Sequence, residues 1–225
     1  MISNLTISKS TRALAIIAAL SASMFTQAVD FSVGVASDYV FRGISQSSED
    51  PSARFGFNYQ ANSSWYVKGF IAEVDNFNNA STEVDVAIGF ADKIDQDFSY
   101  SFEADYSLFT DETGNDSDYL ELNTRLNYKD SFKLLLSFSN DYFGTDESNT
   151  YLEAWFNLPL HDVFDTAVFA GLSDSKVDFF DYTVFGAEAS AAVGEILISV
   201  GYTDTDINNS DIADSRIYFK ADYRF

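Results

Sequence analysis

Phe98-Ser99-Tyr100-Ser101-Phe102-Glu103-Ala104-Asp105-Tyr106-Ser107-Leu108 places an apolar side chain at every even position and a polar one at every odd position. Successive side chains of a strand point to opposite faces, so this stretch is a strand with one apolar and one polar face. Ordinary strands run to about 5 or 6 residues. A tilted strand that crosses a bilayer needs roughly 9 to 11, and this stretch reaches that length. Its polar face carries Glu103 and Asp105 at mid-strand.

The same pattern repeats in both directions. Downstream it recurs at residues 120–128, 132–139, 152–158, 185–191, 196–202 and 216–225. Upstream it occupies 31–42, 53–61 and 82–90. Two further segments are ambiguous: 65–74 alternates less cleanly and its faces are not assigned, and 165–172 is mostly apolar on both faces. Together these make twelve segments, or ten if those two are misread. The connections alternate between short (62–64, 92–97, 129–131, 159–163, 193–195) and longer and polar (43–52, 75–81, 110–117, 144–149, 173–181, 203–214). Short periplasmic turns alternating with longer outer loops mark a membrane barrel. The expected fold is all-β, a transmembrane antiparallel up-and-down β-barrel of 12 strands with lipid outside and a polar lumen. Closure removes the sheet edges and satisfies backbone groups that lipid cannot.

Residues 1–28 read as a secretory signal peptide. Lys9 and Arg12 precede the apolar run 13–20, and Thr26-Gln27-Ala28 supplies the small residues of a cleavage site. The barrel is then residues 29–225, with 11 basic residues against 35 acidic ones. Such a surface repels polyanions, which excludes nucleic acid as a partner. Cysteine is absent, so there is no disulfide framework and no thiolate chemistry. The single histidine, His161, falls in a short turn with no serine beside it. That argues against a Ser-His hydrolase and against histidine metal sites. No phosphate-binding loop or nucleophile elbow occurs, so neither catalysis, nor a cofactor, nor a metal is expected. Asp204-x-Asp206-x-Asn208 begins like a calcium loop but lacks its glycine and terminal glutamate. The many loop acids read as solvation facing anionic lipopolysaccharide, with divalent cations bridging.

The polar faces supply the candidate pore-lining residues. They are Asp38 and Arg42 on the first segment, Arg54 on the second, Glu83 and Asp85, Glu103 and Asp105, Glu121 and Arg125, Glu153, Glu188, and Lys220, Asp222 and Arg224 on the last. Acids outnumber bases, so the expected lumen admits cationic or neutral solutes more readily than anions. Lys68 and the arginines oppose part of that field. Asp38 and Arg42 stand about 13 Å apart on a strand at ~3.3 Å per residue, so each needs some other partner. Tyr39, Phe41, Phe90, Tyr128, Phe132, Tyr202 and Tyr223 are candidates for interfacial aromatic girdles.

Two stretches resemble known sequences. Ile217, Phe219, Ala221, Tyr223 and Phe225 at two-residue spacing resemble the terminal signature that the barrel assembly machinery reads in outer-membrane proteins. Phe219, Tyr223 and Phe225 would carry it. Val35-Ala36-Ser37-Asp38-Tyr39-Val40-Phe41-Arg42-Gly43-Ile44-Ser45-Gln46 resembles the N-terminal hallmark of the TorF-type porin family. That resemblance implies a bacterial outer-membrane barrel more firmly than a transport activity; the reading of the whole chain is a monomeric barrel in lipid and lipopolysaccharide that passes small solutes. The resemblance brings no catalytic residues. The alternative is a closed barrel with a structural or surface-binding role. Inward-folded loops, or large lumenal side chains such as Trp155 and Tyr218, would favour it.

Overall fold

Alternation becomes hydrogen-bonded register in the computed structural model, which describes residues 29–75, 77–114, 116–161 and 163–225. The expected signal peptide lies outside the described residues. The strands are β1 (Val29–Ala36), β2 (Val40–Phe41), β3 (Ile44–Ser45), β4 (Ser52–Gln60), β5 (Trp65–Glu73), β6 (Thr82–Lys93) and β7 (Phe98–Thr110). They continue as β8 (Tyr119–Tyr128), β9 (Phe132–Ser139), β10 (Asn149–Leu158), β11 (Asp165–Ser175), β12 (Tyr182–Val193), β13 (Ile196–Thr205) and β14 (Arg216–Arg224). Twelve of them form one closed antiparallel ring, in which each pairs with its chain neighbour and β1 pairs with β14. The short strands β2 and β3 pair only with each other. The chain is the expected 12-stranded transmembrane barrel.

The side chains sort as lipid demands. Ile88, Phe102, Leu122, Leu136, Phe156, Phe185, Ile198 and Phe219, all on the apolar faces, are exposed on the outside. A water-soluble barrel would bury that set. Inside, Glu103, Glu121, Asn123, Ser137 and Thr203 are buried polar residues. Val29, Phe225 and the short turns share one mouth, here called the terminal end. The longer connections share the other, the loop end. The longest ladder, β6–β7, runs from Thr82↔Thr110 to Lys93↔Ser99. The shortest is the closing seam β1–β14, with five paired positions from Ser32↔Arg224 to Ala36↔Lys220.

The two segments without readable faces are both strands. In β5, Tyr66, Lys68, Phe70 and Ala72 face inward, and the Phe70 ring lies 5.7 Å from that of Tyr39. In β11, Phe169 faces inward and stacks on Trp155 at 4.4 Å. Each blurred segment thus puts an aromatic ring on its lumenal face, where it packs against another ring. Several lumenal rings are accommodated by cross-strand glycines. A Cβ at Gly89 would meet the Tyr66 ring at 2.1 Å, and one at Gly201 the Tyr218 ring at 2.2 Å. The rings therefore lie flat on the wall.

The first segment needs correction. The sequence reading continues strand one to Arg42, but β1 ends at Ala36. Asp38 and Arg42 therefore sit on no barrel strand. Tyr39 and Phe41 fold into the lumen and are not girdle residues. The turn is forced where Arg42 (φ 51°) and Gly43 (φ 86°) both take the left-handed conformation. Glycine suits the second position for another reason too: a Cβ there would lie 2.7 Å from methyl carbons of Val184 and Thr205.

Candidate functional site

Residues 37–51 leave the rim and run back into the barrel as a plug built on the β2–β3 hairpin. Its own polar groups shape it. Asp38 Oδ1 accepts from Ser45 Oγ at 2.6 Å, and the Tyr39 N–H donates to Ser47 Oγ at 2.9 Å. The Gln46 N–H donates to the Tyr39 carbonyl at 2.7 Å, which closes the neck of the hairpin. At the seam, Arg216 Nη1 donates to Asp38 Oδ2 at 2.9 Å.

The tip crosses the lumen to the far wall. Arg42 makes a fork with Glu121 of β8, both contacts at 2.8 Å, and Arg42 Nη2 also donates to Ser137 of β9 at 3.0 Å. The guanidinium carbon lies 4.1 Å from the centre of the Tyr151 ring, a cation–π contact. Tyr182 donates its hydroxyl to the Arg42 carbonyl at 3.0 Å. The two side chains of the fork are 6% and 8% exposed. Ile44 is buried among Tyr151, Phe169, Tyr182, Val184 and Ala213. Beside the plug, Val74, Ala80, Phe109, Tyr119, Tyr142, Phe143 and Phe180 form a second apolar cluster, with Tyr39 packed against it. The loop half of the lumen is thus filled by apolar clusters and two buried ion pairs, Arg42–Glu121 and Arg216–Asp38.

The terminal half is wetter. A cavity of about 790 Å³ opens among Lys68, Asp85, Glu103, Asp105, Arg125 and Arg224. A second, of about 280 Å³, lies under the hairpin and shares Asp85, Asp105 and Arg125 with the first. Most charges here are paired across strands. Glu103 takes Lys68 at 2.7 Å and Arg125 at 2.9 Å. Asp222 takes Arg54 at 2.6 Å, and Glu188 takes Lys220 at 2.5 Å. Glu153 accepts from the Tyr151 hydroxyl at 2.6 Å and from the Trp155 indole at 2.5 Å. Glu83, Asp85 and Asp105 have no basic partner among the described ion pairs, and Glu83 Oε2, Asp85 Oδ1 and Asp105 Oδ1 are buried with no hydrogen-bond donor.

All fourteen candidate lining residues from the sequence sit in the lumen, at its terminal mouth or on the plug. Asp38 and Arg42 find their partners as required, Asp38 on β14 and Arg42 on β8. Arg216 was missed, although its parity with Tyr218 and Lys220 puts it on the inner face. Tyr142, Tyr151 and Tyr182 were also missed. As aromatics they carry no sequence sign of meeting an arginine. Phe219 and Tyr223 are exposed on the outside. Phe225 exchanges backbone hydrogen bonds of 3.0 Å with Phe31 at the seam. His161 stands at the terminal end, where its Nδ1 accepts from the Val163 N–H at 3.1 Å.

Residues 18–224 match the family described as bacterial protein of unknown function (Gcw_chp), and the chain belongs to that family. A comparison with curated protein sequences finds no match. Among solved structures, the barrel is similar to the NanC porin (13% identity, TM-score 0.59, covering 88% of this chain and 99% of that one). It is also similar to the KdgM porin (8% identity, TM-score 0.55, 88% and 97% covered). An outer-membrane channel from Pseudomonas putida F1 is a third (8% identity, TM-score 0.50, 90% and 97% covered). At these identities the likeness is one of fold.

Proposed function

We propose that this protein is a monomeric bacterial outer-membrane channel for passive diffusion of small solutes, favouring cationic or neutral ones, and that the plug of residues 37–51 is its constriction. The observation that carries the proposal is the imbalance of the inner wall. Among the described ion pairs Arg42, Arg54, Lys68, Arg125 and Lys220 meet carboxylates, Lys68 and Arg125 sharing Glu103, while Glu83, Asp85, Asp105 and Glu153 meet no base. Fixed negative charge beside a narrow aqueous path raises the local concentration of cations. The porin fold supports a transport role, and so does the TorF-type resemblance of residues 35–46, part of which builds the plug. Phe219, Tyr223 and Phe225 are the proposed signal for the barrel assembly machinery. Residues 1–28 are the proposed export signal. Lipid and lipopolysaccharide are the proposed surroundings.

A second reading, a closed barrel with a structural or surface role, draws support from the packed loop half. Planar-bilayer recording of the refolded protein separates the two. The channel reading expects discrete current steps, with a reversal potential in asymmetric potassium chloride that favours potassium. No current in several salts leaves the closed barrel. A reversal potential favouring chloride overturns the preference for cations.

A further inference from the structure

We propose that the inner wall around Trp155 is a binding station for a neutral monosaccharide in its ring form. This names a class of neutral solute for the channel reading above and rests on that reading for its role in passage, but binding itself does not require an open pore.

Trp155 stands between two neighbours. In the barrel register Phe169 of β11 lies opposite it on one side and Lys133 of β9 on the other. The Phe169 ring stacks on the indole at 4.4 Å. A cavity of about 320 Å³ is bounded by Trp155, Lys133, Leu135, Glu153 and Glu188, but not by Phe169. It therefore meets the indole on the side away from Phe169. Trp155, Lys133 and Glu188 also border a space of about 730 Å³ at the terminal end, which Asn157 lines as well. Towards the plug, Trp155, Glu153 and Glu188 border the cavity of about 280 Å³ under the hairpin. A solute that moves between mouth and hairpin along this wall passes the indole. Pockets for small ligands run from roughly 300 to 1,000 Å³, so the space suits a single sugar ring.

The chemistry around the indole selects the ligand. Its N–H is spent on Glu153 Oε1 at 2.5 Å, and Glu153 Oε2 takes the Tyr151 hydroxyl at 2.6 Å. What remains for a ligand is the ring face, whose π-electrons attract the slightly positive C–H bonds of a sugar. Polar groups flank that face. Lys133 is exposed and has no carboxylate partner among the described ion pairs. Glu188 receives Tyr218 and Lys220 on Oε2, which leaves Oε1 to accept. Asn157 donates its amide to the Asp130 carbonyl, which leaves Oδ1 to accept. A hydroxyl both donates and accepts, so a polyhydroxylated ring can use all three groups. The charges of Lys133 and Lys220 offset those of Glu153 and Glu188. An anion would face two carboxylates and a cation two ammonium groups, whereas a neutral ring faces no net charge.

The chain has two tryptophans, and Trp65 lies on the outside of the barrel. In a Trp65→Phe background the fluorescence of the refolded full-length barrel reports Trp155 alone. The titrants are D-glucose, D-glucuronate and, in mildly acidic buffer, D-glucosamine, with glycerol at matched osmolality as the baseline. The expected result is a saturable response to glucose, with the two charged sugars binding several-fold more weakly. Adding Lys133→Met, at an exposed position, should weaken glucose binding several-fold while heat-modifiable gel mobility shows the barrel intact. A glucose response no larger than that to glycerol overturns the station, and so does unchanged affinity in Lys133→Met. A charged sugar that binds as tightly as glucose overturns the neutral class. Glucose binding in a barrel without current sinks the channel and keeps the station. A conducting barrel whose Trp155 ignores glucose does the reverse.

Discussion

The two halves of the lumen are built on opposite principles from the same alternating strands. At the loop end, the wall is covered by rings and by a plug whose Arg42 and Asp38 are both buried in ion pairs. At the terminal end, the same strands present paired and unpaired charges to cavities of several hundred cubic ångströms. In the loop half the lumen is a small protein core. In the terminal half it is a solvated surface turned inward. Position along a strand decides its environment as much as which face a residue occupies.

Removing the plug should erase this contrast most completely. The hydrogen bond between Gln46 and Tyr39 brings the two ends of the hairpin together, so residues 40–45 can be replaced by two glycines. The expected result is a several-fold rise in single-channel conductance with the barrel retained by gel mobility. Unchanged conductance would mean that the plug is not the constriction.

Breaking one partner of the buried fork is the next largest effect. Glu121→Ala strands the Arg42 guanidinium in an apolar site, and removing one member of a buried ion pair costs about 3–5 kcal/mol. The expected outcome is lower barrel stability in denaturant titration, with noisy, intermittently larger currents. Pairing Glu121→Ala with Arg42→Leu should recover much of that loss, because no orphan charge remains. A double variant as unstable as the single one would mean that the fork is not what seats the plug.

The smallest effect lies outside the membrane, in the loop after β13. The Thr183 N–H donates to Asp206 at 2.7 Å and holds its carboxyl below the usual carboxylate range. A depressed folded value means that the contact stabilises above the ordinary carboxylate range and is lost as pH falls through the folded value. Wild-type protein should therefore lose slightly more stability than Asp206→Asn between about pH 5 and 3. Parallel pH curves for the two would remove this contact from the account.

The strands were legible because lipid outside and water inside impose a period of two on every residue of the wall. Phe98 to Leu108 shows it without interruption. The pattern failed where the inside is not water. Phe70 and Phe169 face rings, so β5 lost its clean alternation and β11 looked apolar on both sides. The plug was hidden by the same rule in reverse. Ser37, Tyr39 and Phe41 keep the alternation of β1 after the chain has left the wall, and only Gly43 signals a turn. Which acid meets which base was also out of reach. The pairing of Arg54 with Asp222, 168 positions apart, depends on the closing register and on no local spacing.

The plug hangs beside the shortest ladder of the barrel. It begins one residue after β1, beside the five-pair seam, and Ser37 Oγ accepts from the Phe219 N–H at 2.9 Å while Asp38 holds Arg216. The hairpin is therefore also a clasp on the join between first and last staves. A displacement large enough to clear the bore pulls on the place where the ring was soldered. Should the proposed channel open by displacing the plug, the same contacts that seat the hairpin would be the ones that fasten the join.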